Sequence, residues 1–125
     1  MKKKYNESAE DYLETILMLS QTLPVVRAVD IATEMDFKKS SVSVAMKNLR
    51  EKGHITVTDA GFIYLTDSGQ KIAEMIYERH DVLTQYLSSL GVSDEIAEED
   101  ACKIEHVISE ESFRALKGEW EKRGN

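Results

Sequence analysis

The sequence predicts a mainly α-helical protein with one short β-hairpin in its N-terminal half. Apolar residues recur at helical spacing along most of the 125 residues. Residues 54–66 instead contain two runs of β-branched and aromatic residues around a short turn, which is typical of strands. The chain also has only one proline and six glycines, so few residues interrupt the helices.

Three helices are predicted before the hairpin. The first covers about residues 7–23 and ends at Pro24. The second and third cover residues 28–35 and 40–52, and Gly53 ends the third. The first helix carries its apolar residues at Ala9, Leu13, Ile16 and Leu17. The residues predicted to face inward on the next two helices are Val29, Ile31 and Ala32 on the second, and Val42, Ala45, Met46 and Leu49 on the third.

Three helices followed by a two-stranded hairpin is the element order of a winged helix-turn-helix. In that fold the second helix supports a third, recognition helix in the major groove, and the hairpin (the wing) lies along the DNA backbone. The alternative is a small helical bundle whose polar residues only face solvent, and the hairpin that follows at once disfavours it. We therefore expect residues 1–66 to form a DNA-binding domain.

The third helix carries the side chains expected to contact DNA. Hydroxyl, amide and methyl groups suit base edges, and cationic groups suit phosphates, which supply most of the affinity. These residues are Lys38, Lys39, Ser40, Ser41, Ser43, Val44, Lys47, Asn48 and Arg50.

The second half, residues 67–125, is predicted to be entirely helical. A long helix covers about residues 68–90 and ends at Gly91, and Ser93 and Ser109 are predicted N-caps of two further helices. The apolar positions are Ile72, Ile76, Leu83, Leu87 and Leu90 on the long helix, with His80 between Ile76 and Leu83, and Phe113, Leu116 and Trp120 on the last helix.

The charge distribution and the cysteine content limit the classes of protein to which this chain can belong. The net charge is −7, yet residues 27–58 contain six basic and four acidic residues, whereas residues 67–125 contain seven basic and fourteen acidic ones. This asymmetry indicates two roles in one chain. The single cysteine has no partner for a disulfide, and no stretch is apolar enough for a membrane span or a signal peptide, so a cytoplasmic protein is expected.

A candidate metal site lies in the sequence DACKIEHVIS. Cys102, Glu105 and His106 are spaced so that one helix face would carry all three side chains. His80 lies eleven residues before Gly91 and Cys102 eleven residues after it, so a helical hairpin at Gly91 would place them at similar height. The same hairpin places Glu98, one turn before Cys102, near that level. The alternative is a buried cysteine and a core histidine beside solvated acids.

Asp11 and Glu14 on the first helix extend this hypothesis. They stand beside the apolar stripe, where the alternative is two acids favoured by the helix dipole. If the carboxylates of Asp11 and Glu14 lay close to that of Glu105, their negative charges would repel one another unless a cation were bound. Carboxylates and imidazoles suit Mn(II) or Fe(II), and a thiolate shifts the preference towards softer ions such as Zn(II).

Four segments together resemble the metal-dependent repressors related to the diphtheria toxin repressor and the manganese transport regulators. They are AEDYLETI, VDIATEM with SSVSVAMKNLREKG, the pair RH at Arg79 and His80, and DACKIEHVIS, and they extend over about residues 7–109. The resemblance implies an N-terminal winged helix-turn-helix (three helices plus a two-stranded wing) followed by a helical dimerisation domain, residues 67–125, with metal bound between the two. It indicates the short, two-domain type, without the SH3-like third domain of longer members.

Carried over by position, the resemblance implies metal ligands. Asp11 and Glu14 match the manganese-responsive branch, and Cys102 matches the iron-responsive branch. Glu98 stands where the iron branch has a histidine, and Thr84 replaces a further acid of that branch. The implied ligands are Asp11, Glu14, His80, Glu98, Cys102, Glu105 and His106.

The predicted function is a homodimeric, manganese- or iron-activated repressor of metal-uptake genes that binds a double-stranded DNA operator. Zn(II), Co(II) and Cd(II) are possible surrogate ions, and no membrane is involved. The main alternative is a metal-independent winged-helix regulator that responds to a small organic ligand. A dinuclear metallohydrolase and a pure dimerisation module are disfavoured, because no nucleophile–base pair is present and residues 38–50 are basic and rich in hydroxyls. The chain is therefore not expected to be an enzyme.

Overall fold

The computed structural model describes residues 8–124, which fall into two compact units, residues 8–75 and residues 76–124. The mainly helical fold with one two-stranded sheet confirms the predicted fold class. The predicted division between residues 66 and 67 stays a prediction, and the predicted helix start at residue 7 lies outside the described residues. The elements are α1 (Ala9–Ser20), α2 (Ala28–Met35), α3 (Lys39–Glu51), β1 (Ile55–Val57), β2 (Ile63–Leu65), α4 (Asp67–Ser89), α5 (Asp94–Ile104) and α6 (Glu110–Lys122).

In the first unit, α1 packs against α2, α3 and β2. The hydroxyl of Ser8 accepts a hydrogen bond from the Asp11 N–H and so caps the start of α1. The helix ends at Ser20, earlier than predicted, and residues 21–23 form a turn. Pro24 has no N–H to continue the helix and disfavours helical conformation at Leu23. The core includes Leu13, Ile16, Ile31, Met35, Val42, Met46, Leu49, Ile55 and Ile63.

The turn between α2 and α3 is tight. Asp36 adopts a left-handed conformation (φ 57°) and ends α2, and the Phe37 N–H donates to the Ala32 carbonyl. This arrangement starts α3 at Lys39. The prediction that Val29 on α2 faces inward is wrong, since its side chain is 44% exposed.

The wing is an antiparallel pair in which Ile55 faces Leu65 and Val57 faces Ile63. Gly61 has a positive φ of 85° and donates to the Thr58 carbonyl, so it closes the turn in a conformation that favours glycine. The wing is also anchored to the helices, because the Ile63 N–H donates to the Val26 carbonyl over 2.8 Å.

The second unit contains the C-terminal part of α4 together with α5 and α6. The hydroxyls of Ser93 and Ser109 accept hydrogen bonds from Ile96 and Ser112 N–H groups, which confirms both predicted N-caps. Gly91 turns the chain between α4 and α5 with φ 100°. The core of this unit contains Val82, Phe113 and Trp120, against which Tyr86, Ile108 and Leu116 pack.

Two further contacts join α4 to α6. The rings of Tyr86 and Trp120 stack with centroids 5.5 Å apart. The Lys117 ammonium donates to the Glu78 carboxylate over 2.9 Å, and this hydrogen bond raises the pKa of Lys117 above its ordinary value. Leu90, predicted as part of the α4 stripe, is 58% exposed. Among the described residues, no helix has the length and apolar character that crossing a membrane requires.

The base of the wing lies tightly against the first turn of α4. Thr66 donates its hydroxyl to the Gly53 carbonyl over 2.7 Å, and the His54 ring shares a hydrogen bond of 2.9 Å with the Ser68 hydroxyl. Gly69 faces the His54 carbonyl so closely that a Cβ atom there would overlap the oxygen. The missing side chain therefore permits this backbone approach.

Replacing Gly69 with alanine should reduce the free energy of unfolding by about 1–3 kcal/mol, because the added methyl group would push the backbone of α4 away from the His54 carbonyl. Urea denaturation followed by circular dichroism measures the change. Gly118 on α6 provides a matched control, since a Cβ there meets nothing within 4 Å. Gly118→Ala should stabilise by about 0.5–1 kcal/mol through helix propensity. A Gly69→Ala variant as stable as the parent would contradict the close approach.

Candidate metal centre and nucleic-acid interface

Three potential metal ligands converge in the second unit. The His80 Nδ1, the Cys102 Sγ and a Glu105 carboxylate oxygen all lie within 4.8 Å of one another. His80 Nδ1 is 2.9 Å from Glu105 Oε1 and 3.9 Å from Cys102 Sγ. This confirms that the hairpin at Gly91 brings residues 80 and 102 to the same height.

Glu105 lies between two imidazoles. Its Oε1 meets His80, and its Oε2 is 3.9 Å from His106 Nε2. The Glu105 side chain is fully buried, whereas both imidazoles are 17% exposed. A buried carboxylate requires compensating partners. The His80 ring supplies a hydrogen bond at one oxygen, and the His106 ring stands near the other.

The local backbone differs from the predicted helix face. Cys102 lies in α5, but the helix ends at Ile104, Glu105 is its C-cap, and His106 lies in the following turn. Glu105 nevertheless keeps helical angles (φ −57°, ψ −26°), and its N–H donates to the Ala101 carbonyl. It therefore still stands one turn above Cys102, while the direction of His106 is set by the turn.

This donor set fits a divalent transition-metal ion. Ligand atoms lie about 2.0–2.3 Å from such an ion, so two of them stand at most about 4.6 Å apart. The separations of 2.9 and 3.9 Å around His80 Nδ1 satisfy this limit. An imidazole, a thiol and a carboxylate also offer nitrogen, sulfur and oxygen, the atoms that such ions bind. Binding requires Nδ1 to be free of its proton.

Three further predicted ligands are acids on α1 and α5. Asp11 and Glu14 stand on α1 in the first unit, and both side chains are buried. Glu98 is on α5, half-buried, and is not part of the cluster of His80, Cys102 and Glu105. The roles of these three acids stay predictions.

The sequence pattern assigned no role to Arg79. Its Nη1 donates to the carbonyls of Glu105 and Ile108 over 3.2 and 3.0 Å, which ties α4 to the turn carrying Glu105 and His106. A sequence feature could have indicated it. Arg79 lies seven residues after Ile72 and four before Leu83. At this helical spacing its charged side chain falls on the same face of the helix as the apolar residues.

The predicted DNA-contacting residues are largely accessible to solvent in the first unit. Lys38 precedes α3 and the others lie on that helix, all of them exposed except Ser41, which is half-buried. Val44 is 60% exposed, which leaves its methyl groups accessible for contact with a thymine methyl group. Their contacts with DNA stay predictions.

The recognition helix and the wing enclose a groove of about 220 Å³. Lys47 and Arg50 line it from α3, and Val57 and Gly61 line it from the wing. Two cationic side chains of α3 therefore line the groove beside the wing, as contacts with DNA phosphates would require.

Two sequence profiles of one protein family match consecutive parts of the chain. Residues 4–61 match the N-terminal DNA binding domain of the iron dependent repressors, and residues 66–120 match their metal binding and dimerisation domain.

Individual relatives agree with these matches. The transcriptional regulator MntR of Escherichia coli O6:H1 is 35% identical over 118 residues, which cover 94% of this chain and 76% of that protein. A solved manganese-dependent transcriptional repressor in complex with manganese superposes with a TM-score of 0.81 at 25% identity, over 90% of this chain and 52% of that one. For the T. acidophilum IdeR structure the TM-score is 0.79 at 26% identity, over 93% and 55%. The chain thus spans about half the length of these two solved structures.

A winged helix-turn-helix joined to a helical unit with a cluster of potential metal ligands defines a metal-dependent, DNA-binding transcription regulator. The chain belongs to the iron dependent repressor family. Its relatives are transcriptional regulators and not enzymes. The predicted family and regulatory function are confirmed, and the metal-independent alternative is not favoured.

Substitutions on α3 should separate general from sequence-specific DNA affinity. Lys39→Ala should weaken binding to all duplexes and reduce the salt slope of log K by about 1, because one phosphate contact is lost. Val44→Ala should instead lower discrimination at one base pair by about 1 kcal/mol. Fluorescence anisotropy at several salt concentrations measures both effects.

Lys122→Ala, at an exposed position near the end of α6, is the matched control and should change neither quantity. An unchanged salt slope for Lys39→Ala, together with unchanged discrimination for Val44→Ala, would show that α3 is not the recognition helix.

Proposed function

We propose that this chain is a homodimeric repressor that binds a double-stranded DNA operator when a divalent metal occupies its helical half. The observation that carries the proposal is the cluster of His80, Cys102 and Glu105 in the same chain as a winged helix-turn-helix. The proposed division of labour is residues 1–66 for DNA and residues 67–125 for metal binding and dimerisation.

Mn(II) or Fe(II) is the proposed activating metal. The relatives include regulators described as manganese-dependent and a family described as iron dependent, and the donor set contains the carboxylate and imidazole groups that both ions accept. Zn(II), Co(II) and Cd(II) are proposed as surrogates, because the Cys102 thiolate suits softer ions. The proposed ligands are Asp11, Glu14, His80, Glu98, Cys102, Glu105 and His106.

The proposed mechanism depends on ligands drawn from both halves of the sequence. A bound divalent ion supplies the positive charge that turns repulsion among carboxylates into attraction. Asp11 and Glu14 belong to the DNA-binding half, so fixing them would fix the presentation of the recognition helix. A dimer must present two such helices at the spacing of two half-sites, and restricting that spacing raises operator affinity.

Self-association is supported by an apolar groove in the second unit. Its volume is about 230 Å³, and Leu90 at its edge is 58% exposed. A second copy of the chain would cover this apolar surface, and exposed apolar patches commonly mark such interfaces. The lining residues are Leu83, Tyr86, Leu87, Leu90, Ile104 and Leu116.

Metal-uptake genes are the proposed targets, since a repressor that is active when metal is bound would then close a feedback loop. A cytoplasmic location is proposed with them, because the operator is chromosomal DNA.

Metal-by-metal DNA binding tests the proposal. A duplex selected from random DNA in the presence of Mn(II) serves as the probe, and anisotropy titrations compare Mn(II), anaerobic Fe(II), Zn(II) and chelator. The activating metal should raise operator affinity roughly 5- to 150-fold, the range of ordinary allosteric coupling. If no metal changes the affinity, the chain is a metal-independent regulator and the proposal is lost.

The Glu105→Gln substitution tests whether the cluster of His80, Cys102 and Glu105 causes the metal-dependent change in operator affinity. This substitution keeps the shape of the side chain and removes its charge, so the metal response should fall while metal-free DNA affinity stays unchanged. Glu121→Gln, at an exposed position on α6, is the matched control and should respond like the parent. A full metal response in Glu105→Gln would exclude Glu105 as a ligand.

A further inference from the structure

Arg79 makes an unusual pair of contacts behind the metal-ligand cluster. One nitrogen, Nη1, donates to two backbone carbonyls, those of Glu105 and Ile108. These carbonyls bracket the turn of residues 105–108 that connects α5 to α6. The carbonyls at the end of a helix lack partners within the helix, and a cationic donor there also interacts favourably with the helix dipole.

The guanidinium is held in place from a second side. It lies over the ring of Phe113, with Cζ 5.6 Å from the ring centroid, and Phe113 is itself 4% exposed in the core of the unit. The Nε atom of Arg79 is buried and has no hydrogen-bond partner among the described residues. The contribution of Arg79 therefore lies in its ring contact and in the two carbonyl bonds.

The turn that Arg79 holds determines where two potential ligands stand. The carboxylate of Glu105 reaches His80 on one side and His106 on the other. A displacement of this backbone by a fraction of an ångström would move Glu105 and His106 together relative to His80. Groups that hold metal ligands from behind typically change metal affinity by about 10- to 100-fold.

We propose that Arg79 is a positioning residue that sets the metal affinity of the cluster by fixing the turn of residues 105–108. This inference rests on the proposed function, because it requires that the cluster binds a metal. Arg79 is not one of the proposed ligands. Its effect passes through the backbone of Glu105 and Ile108 to the side chains of Glu105 and His106.

Charge provides the competing explanation, and two substitutions separate it from geometry. Arg79→Lys keeps the positive charge but cannot reproduce the planar guanidinium that reaches both carbonyls. Arg79→Met keeps apolar packing on Phe113 and removes the charge. If Arg79 acts by positioning the turn of residues 105–108, both variants should bind metal more weakly. A purely electrostatic effect predicts tighter binding in Arg79→Met, since a cation near the site is removed, and no change in Arg79→Lys.

The experiment uses the full chain, stripped of metal and titrated with Mn(II) alone by calorimetry. Both Arg79 variants should raise the dissociation constant about 10- to 100-fold. Arg114→Lys and Arg114→Met are matched controls and should bind as the parent does. Arg114 is an exposed residue of α6 whose partner is the Glu110 carboxylate, and its hydrogen bond lowers the pKa of Glu110.

Hydrogen exchange in the metal-free chain supplies an independent measurement. The Val107 and Ile108 N–H groups donate to the Ile104 carbonyl, so they report on the turn. In Arg79→Lys their exchange should accelerate, while amides in α2 and α3 stay protected as in the parent. Uniform acceleration would indicate general destabilisation and would overturn the positioning role.

The outcomes distinguish this inference from the proposed function. If the parent chain binds neither Mn(II), Fe(II) nor Zn(II), the proposed function fails. If the parent binds metal and Arg79→Lys binds it equally well, only the inference fails. If Arg79→Met does not fold, Arg79→Lys alone tests the inference, because it retains the charge and the aliphatic part of the side chain.

Discussion

The buried carboxylate of Glu105 is the group on which the arrangement of the second unit depends. An ionised carboxylate removed from water is costly unless charged or polar partners surround it. Here His80 meets one oxygen and His106 stands near the other. The partners come from α4 and from the turn after α5, so satisfying one side chain fixes two segments relative to each other. A metal ion would satisfy the same carboxylate, which is why this structure could respond to one.

The turn after α5 links this carboxylate to the rest of the unit. Arg79 on α4 donates to its backbone, and Phe113 on α6 supports the guanidinium. Phe113 in turn belongs to the core cluster with Val82 and Trp120. Packing of α6 on α4 and the position of the candidate ligands are thus parts of one contact network. This network connects the proposed metal ligands to the core of the second unit.

The first unit has a different electrostatic requirement, which is to bind negatively charged DNA. The protein carries a net charge of −7, yet it must approach a polyanion. The cationic residues of α3 and the groove beside the wing concentrate positive charge on one surface, and the acidic residues are numerous in the second half. Affinity for DNA depends on local charge and its spacing more than on the total. An acidic chain can therefore be a DNA-binding protein.

Local chemistry explains what the sequence could predict. The serine caps of α5 and α6 and the glycine between α4 and α5 are short-range features, and equal distances from Gly91 were enough to pair His80 with Cys102. The helix face through His106 was predicted wrongly, because the helix ends at Ile104 and propensity does not fix such ends. The contact of Arg79 with carbonyls 26 and 29 residues away depends on tertiary packing, which no local pattern encodes.

The coupling of metal binding to operator binding within one protein is tested most directly by a thermodynamic cycle. Operator affinity is measured with and without Mn(II), and Mn(II) affinity is measured with and without operator. Linkage requires the two ratios to be equal, and our account predicts a common factor of roughly 5 to 150. Mn(II) that binds the free chain and the operator complex with the same affinity would contradict the account.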